Sequence, residues 1–252
     1  MKADGGAARS LLHGGGRVWI QLHSVQGMSQ STNSRNSPPL ILLGAPGAGK
    51  GTQAQVISKT LRIPHISTGA IFRQNVQHGT PLGLLAKVMV EQGQLVMDDV
   101  VNTMVRERLR ESDCARGFLL DGYPRTVAQA REFGAIVKEM GLRQPVVVNL
   151  RVGYDVIVER LSGRWTCPVC QRTYNLRTKP PLREGVCDAE GARLEQRVDD
   201  RAETIRERLA AYETQTAPLV EYYRHQGSLL EVNGEQGPEA ISSELGLLLA
   251  TI

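Results

Sequence analysis

Nine consecutive residues, Gly44-Ala-Pro-Gly-Ala-Gly-Lys-Gly-Thr52, have the chemistry of a phosphate cradle. Glycines let successive backbone N–H groups turn inward around an anion, and a helix starting there adds the positive end of its dipole. Lys50 supplies a point charge for the outer phosphates. Thr52 or the loop backbone can meet the metal-bearing side, because Gly51 stands where many such loops carry Ser or Thr. Such a loop needs a strand before it and a helix after it. Leu40-Ile-Leu-Leu43 is a short apolar run flanked by Pro38-Pro39, and Gln53 to Thr60 carries apolar Ala54, Val56 and Ile57. Both flanks are as required.

A second candidate is Asp121, which closes the apolar run Phe118-Leu-Leu-Asp121 and precedes Gly122. A carboxylate at the C-terminal end of a parallel strand, beside a phosphate loop, is placed to hold the waters of a magnesium ion. Six arginines (Arg73, Arg125, Arg160, Arg164, Arg197 and Arg208) fall at strand ends or near two irregular segments. Their planar, permanently charged forks match phosphate oxygens, and the surplus suggests two phosphate-bearing substrates whose repulsion must be cancelled. Spacing alone does not separate them from solvated surface charges. Three of the four cysteines form the pattern Cys167-Pro-Val-Cys170 and Cys187-Asp-Ala-Glu190. This repeats the two-residue gap of a zinc ribbon with Glu190 in the fourth position; Asp188 or a metal-free trio of thiols are the alternatives. Cys114 stands apart and is expected to be a buried apolar side chain. No Ser/His/Asp arrangement stands out.

The elements that must position these residues alternate. Phe118–Asp121, Val146–Leu150 and Ser228–Val232 read as buried strands after Leu40–Leu43, with helical patterns over Asp99–Arg110, Thr126–Met140 and Asp199–His225. Strand and helix in alternation imply an α/β fold with a parallel sheet covered on both faces. Ser67–Gln94 is nearly all helical, and Gly163–Asp200 is rich in Pro, Gly and Cys; both read as insertions projecting from one core. The 252-residue chain is 41% hydrophobic and 22% charged, with a formal charge of +4. This modest excess suits anionic small molecules and argues against a nucleic-acid groove. No apolar run reaches the length of a membrane span. The cysteine usage fits a reducing compartment rather than a secreted disulfide framework. Residues 1–39 read as a disordered leader: Gly14-Gly-Gly16, a Ser/Asn/Gln-rich stretch and only Asp4 as an acid. An unstructured extension, or initiation at Met28, is the expectation; an organellar transit peptide is the alternative.

Taken together, Gly44–Thr52, Ile66-Ser-Thr-Gly69, Arg73, Gly93-Gln-Leu-Val96, Gly117-Phe-Leu-Leu-Asp-Gly-Tyr-Pro-Arg-Thr126 and Gln196-Arg-Val-Asp-Asp200 resemble the adenylate kinases of the long-lid type, from about Leu40 to the C-terminus. The resemblance implies a P-loop nucleoside-monophosphate kinase with a five-stranded parallel sheet. The core would comprise residues 40–66, 97–162 and 201–252, with an NMP-binding insertion at 67–96 and a lid at 163–200. It implies transfer of a phosphoryl group from MgATP to AMP by a cytoplasmic monomer that binds ATP, AMP and ADP, with magnesium at the nucleotide and a structural zinc ion in the lid. Gly47, Ala48, Gly49, Lys50, Gly51 and Thr52 would wrap the ATP phosphates, with Arg164, Thr173 and Tyr174 covering ATP and Gln236 near its adenine.

The same resemblance gives the AMP site as Thr68, Arg73, Gln94, Leu95, Val96, Gly122, Tyr123, Pro124, Arg125 and Gln129, with Gln129 on the base. Arg197 and Arg208 would bridge the reacting phosphates, and Lys50, Asp121, Arg125, Arg160 and Arg164 would complete the catalytic set. Cys167, Cys170, Cys187 and Glu190 would hold the zinc ion. Ala70 departs from the pattern, standing where the family commonly has Asp; Asp121 is then the main carboxylate at magnesium. GTP as donor is an alternative within the class. A nucleotide switch carrying a zinc-ribbon interaction module is the alternative outside it.

Overall fold

The computed structural model describes residues 37–250. The leader expected over residues 1–39 therefore lies outside the described residues except for its last three. Two of these belong to the body: Pro38 and Pro39 are buried, and the Pro39 carbonyl accepts a hydrogen bond from Val146 N at 2.9 Å.

Five strands form one parallel sheet: β1 (Leu40–Leu43), β2 (His65–Ser67), β3 (Leu119–Asp121), β4 (Val146–Arg151) and, last in the chain, Leu229–Asn233. Their order is β2, β3, β1, β4 and then that last strand. Side chains alternate across the sheet with the two-residue period of a strand. Ile41, Leu43, Leu120 and Val147 face one hydrophobic cluster, whereas Leu40, Leu42, Leu119 and Val148 face the other. Both faces are covered, which is why the strands read as continuous apolar runs. The five-stranded expectation holds, and its fifth member is β2, whose three residues carry no apolar run to reveal them.

Helix α1 (Lys50–Leu61) follows β1, and α2 (Thr68–His78) with α3 (Pro81–Glu91) form the helical insertion. Helices α4 (Asp98–Leu109) and α5 (Val127–Glu139) flank β3, and α6 (Tyr154–Ser162) follows β4. The second insertion carries the antiparallel hairpin β5 (Arg164–Thr166) and β6 (Thr173–Asn175). The last sheet strand is thus β7. The helix expected over Asp199–His225 is divided into α7 (Ala202–Ala211), a π-helical turn at Tyr212–Thr216 and α8 (Pro218–His225), where Pro218 lacks the N–H that would continue an α-helical ladder. Helix α9 (Pro238–Leu249) closes the described chain. Among the described residues no helix is long and apolar enough to cross a membrane.

Helices α2 and α3 pack so closely that a Cβ at Gly83 would lie 2.0 Å from the Asn75 carbonyl oxygen. Thr80 caps this turn, accepting from Gly83 N at 3.0 Å and donating to Asn75 Oδ1 at 2.6 Å. Gly83→Ala is therefore expected to lower stability by about 1–3 kcal/mol, the usual effect of overpacking, as read from the urea unfolding midpoint.

Candidate active site

Parallel register brings the ends of β1, β2 and β3 together: Leu42 is paired with Asp121, and Ser67 also with Asp121. The phosphate loop therefore leaves β1 beside the Asp121 carboxylate. Helix α1 begins at Lys50 with no side-chain cap and no acid in its first turn, so its N–H groups and dipole face an anion unopposed. The Lys50 ammonium donates to Gly44 O at 2.6 Å and Ala45 O at 2.9 Å. Burial lowers its pKa to about 8, partly offset by Asp121, while Arg125, Arg208 and Arg164 push it further down. A phosphate placed there would relieve that repulsion.

Asp121 is held by a residue not singled out from the sequence. His65 Nε2 lies 3.3 Å from Asp121 Oδ2. Burial alone would raise the carboxyl's pKa, but the His65 contact, Lys50 and Arg125 together bring it below the ordinary carboxylate value. A Cβ at Gly51 would lie 3.7 Å from Asp121 Oδ2, so the glycine leaves the space beside the carboxylate open. An ionised carboxylate facing a phosphate loop across open space fits a hydrated magnesium ion.

Beyond Asp121 the arginines converge. Arg164 makes a two-pronged ion pair with Asp200, Nε to Oδ2 at 2.6 Å and Nη2 to Oδ1. Arg208 Nη1 meets Asp200 Oδ1 at 2.8 Å and Asp199 Oδ2 at 3.1 Å, while Arg197 grips Asp199 at 3.1 and 3.2 Å. The Asp200 side chain is fully buried. Burial would raise the Asp199 pKa, yet Arg197, Arg208, Arg164 and Arg73 pull it far below the carboxylate range. Two guanidinium groups bear the strain of the assembly. Arg73 falls to about 9 and Arg197 to about 10, mainly through burial, and the buried Arg73 Nε has no hydrogen-bond partner. An unpaired cationic donor of this kind suits an anionic ligand. Arg160 stands nearer the loop, its Nη1 3.5 Å from Ala48 O.

A cavity of about 90 Å3 opens between α2 and the turn that follows β3. Thr68, Arg73, Gln94, Leu95, Val96, Gly122, Arg125, Gln129, Arg197 and Arg208 all line it, together with Gly69, Phe72, Gly93, Val101 and Asp199. Gly122 has φ +83°, and a Cβ there would lie 3.0 Å from both Thr68 Oγ1 and Arg125 Nη2, so the turn requires glycine. Its carbonyl accepts from Thr68 Oγ1 and from Arg125 Nε, each at 2.8 Å. Tyr123 and Pro124 are not in the lining. Tyr123 is fully buried, its hydroxyl 2.8 Å from Asn102 Oδ1, and it supports the turn from behind.

The adenylate kinase family model matches residues 42–228 of this chain. An adenylate kinase of Brevibacillus brevis is 50% identical over 210 residues, covering 83% of this chain and 98% of that protein. This chain belongs to the adenylate kinase family. Adenylate kinases of Moorella thermoacetica, 49% identical over 210 residues, and of a Thermoanaerobacter species, 48% identical over 206, cover 83% and 82% of the chain and 97% and 95% of their own lengths. Membership displaces the alternative of a nucleotide switch with an interaction ribbon.

In this adenylate kinase the second insertion closes on its cysteines. The sulfurs of Cys167, Cys170 and Cys187 all lie within 4.8 Å of one another, with Cys170 and Cys187 3.6 Å apart. Tetrahedral zinc with Zn–S of about 2.3 Å separates two sulfurs by about 3.8 Å, so the trio fits that ion. The Tyr174 hydroxyl, 3.4 Å from Cys187 Sγ, lowers that thiol's pKa towards the thiolate, whereas burial raises that of Cys170; a metal needs the thiolate form of each.

Two expectations need correcting here. Glu190 is exposed, and its carboxylate is not among the groups that lie together with the three sulfurs. Asp188, the alternative, accepts instead from Leu182 N at 2.8 Å. The Tyr174 side chain is 2% exposed and packs inside the lid with Cys167, Cys187 and Leu194, so only its backbone and the exposed Thr173 can face a nucleotide. Gln236 is exposed on the turn before α9. Cys114 is buried, as expected.

Asp98, Asp199, Asp200 and His65 were absent from the candidates read from sequence. Asp199 and Asp200 stood in the sequence only as the end of the motif Gln196-Arg-Val-Asp-Asp200, with no role of their own. Removing one partner from a buried ion-pair network leaves uncompensated charge, so Asp200→Ala is expected to cost about 3–5 kcal/mol. Equilibrium urea unfolding measures this; a loss under about 1 kcal/mol would show that Asp199 alone suffices as counter-charge.

Proposed function

We propose that this site transfers the terminal phosphoryl group of MgATP to AMP, reversibly, giving two ADP. The observation that carries this reading is the charge arrangement. Lys50 in the phosphate loop feels Arg125, Arg164 and Arg208, and Arg125 and Arg208 also line the cavity across from it. One cationic cluster thus serves two phosphate positions. Phosphoryl transfer asks for in-line placement and charge neutralisation rather than a covalent nucleophile, and an acceptor that is already a phosphate anion needs no strong base.

In this reading Gly47–Thr52 and Lys50 hold the ATP phosphates, and Thr173, the Tyr174 backbone and Gln236 border the rest of ATP. Arg73 and Arg125 take the AMP phosphate. Thr68, Gln94, Leu95 and Val96 enclose the nucleoside, and Gln129 reads its base. Arg197 and Arg208, with Arg160 and Arg164, spread the charge that builds up between the two substrates. Magnesium, when bound, would supply positive charge against the phosphates during transfer; Asp121, steadied by His65, would hold its waters. Arg164 rides on β5 at the root of the lid and is tied to Asp200, so the pair fastens the lid's two ends where they meet the core, and a lid closed over both substrates would exclude water from the transfer. Zinc in the cysteine trio would fold the lid without touching the chemistry.

A steady-state assay tests the reaction, with ATP and GTP as donors and AMP, GMP, UMP and CMP as acceptors. ATP-dependent ADP formation should require AMP, and its absence would sink the proposal. Lys50→Met should lower kcat by at least about a hundredfold, as expected for a group that stabilises charge in flight. Elemental analysis of protein purified without chelator should find about one zinc per chain. Less than about half an equivalent would favour a lid held by its thiols alone.

A further inference from the structure

Gln129 lines the cavity with both ends of its amide held by groups of fixed hydrogen-bonding polarity. Its Oε1 accepts from the backbone N–H of Arg125 at 2.7 Å, and its Nε2 donates to Asp98 Oδ1 at 2.6 Å. Asp98 is itself fastened: its Oδ2 accepts from Thr126 Oγ1 at 2.8 Å, and Thr126 Oγ1 accepts from Gln129 N at 3.1 Å. Asp98, Thr126 and Gln129 close a ring across the first turns of α4 and α5. A backbone N–H only donates, and a carboxylate only accepts. Turning the amide over would set its NH2 against the Arg125 N–H and its oxygen against the Asp98 carboxylate, losing both bonds at once.

We propose that Asp98 is a positioning residue that fixes the polarity of the Gln129 amide, and so makes the acceptor site selective for adenine over 6-oxopurines. The proposal rests on the reading that Gln129 meets the base. After its two fixed bonds, the amide keeps one Nε2 hydrogen and one Oε1 lone pair for a ligand. Adenine presents an acceptor at N1 beside a donor at the 6-amino group, which matches those two atoms. Hypoxanthine and guanine present a donor at N1 and an acceptor at O6. With the nucleotide's phosphate anchored by Arg73 and Arg125, the base cannot exchange these positions. Only a turned amide could serve a 6-oxopurine, and the ring forbids the turn. Sites that leave polar groups mispaired reject the wrong substrate strongly.

Inosine monophosphate is the appropriate probe, because it reverses the N1/O6 polarity without the bulk of a 2-amino group. In Asp98→Asn the side chain can accept from or donate to Gln129, which frees one of the two restraints. The ratio of kcat/KM for AMP to that for inosine monophosphate should fall at least about tenfold, with the KM for AMP rising more than kcat falls and the KM for ATP unchanged. Because both substrates are measured in one preparation, the ratio does not depend on the fraction of folded enzyme. A ratio within about twofold of wild type overturns the proposal. Gln129→Leu tells this failure from failure of the underlying reading. An unaltered AMP KM in Gln129→Leu removes Gln129 from the base altogether and overturns the proposal with it. A raised AMP KM there, beside an unaltered ratio in Asp98→Asn, leaves the base contact intact and overturns only the role of Asp98.

Discussion

Like charges must stand together here before any substrate helps them to do so. Arg73, Arg125, Arg164, Arg197, Arg208 and Lys50 share one region, and burial works against every one whose pKa is shifted. Coulomb repulsion grows as the surroundings become less polar. Asp199, Asp200 and Asp121 make the arrangement tenable, each shared among several cations. They neutralise enough charge to let the chain fold, and leave enough excess to attract phosphates. Asp199 and Asp200 sit where the lid rejoins the core, so the electrostatic solution and the lid's root coincide in the chain.

The sheet serves this arrangement by delivering strand ends to one edge. Two-residue alternation sends β1 side chains to separate clusters, and parallel pairing with β3 then sets the loop after β1 beside Asp121. The covering helices start at that edge, so their N-terminal turns point at the cleft. Helix α1 uses its uncapped start for this purpose, whereas α5 spends its cap on Thr126 and the ring around Gln129.

What the sequence disclosed depended on how local the signal was. Leu40 to Thr52 declared itself because strand, loop and helix are contiguous, and Asp121 because it ends an apolar run. The cysteine trio was legible from a two-residue gap repeated. The strand His65–Ser67 was not, being three residues long with a single apolar side chain. His65 and Asp98 escaped because their partners lie 56 and 31 positions away, at Asp121 and Gln129. The inward orientation of the Tyr174 side chain was hidden for a related reason. It pairs with Trp165 in a hairpin whose inward face is set by register, and register cannot be read from one strand. Glu190 has the spacing of a ligand, yet its side chain is exposed and apart from the three sulfurs, a rotamer choice that spacing does not encode.

The ring around Gln129 joins the starts of α4 and α5, both outside the α2–α3 insertion that carries Arg73. On the proposed reading the base is met from this ring, while the phosphate is held from two sides, by Arg73 on α2 and by Arg125, whose own N–H belongs to the ring.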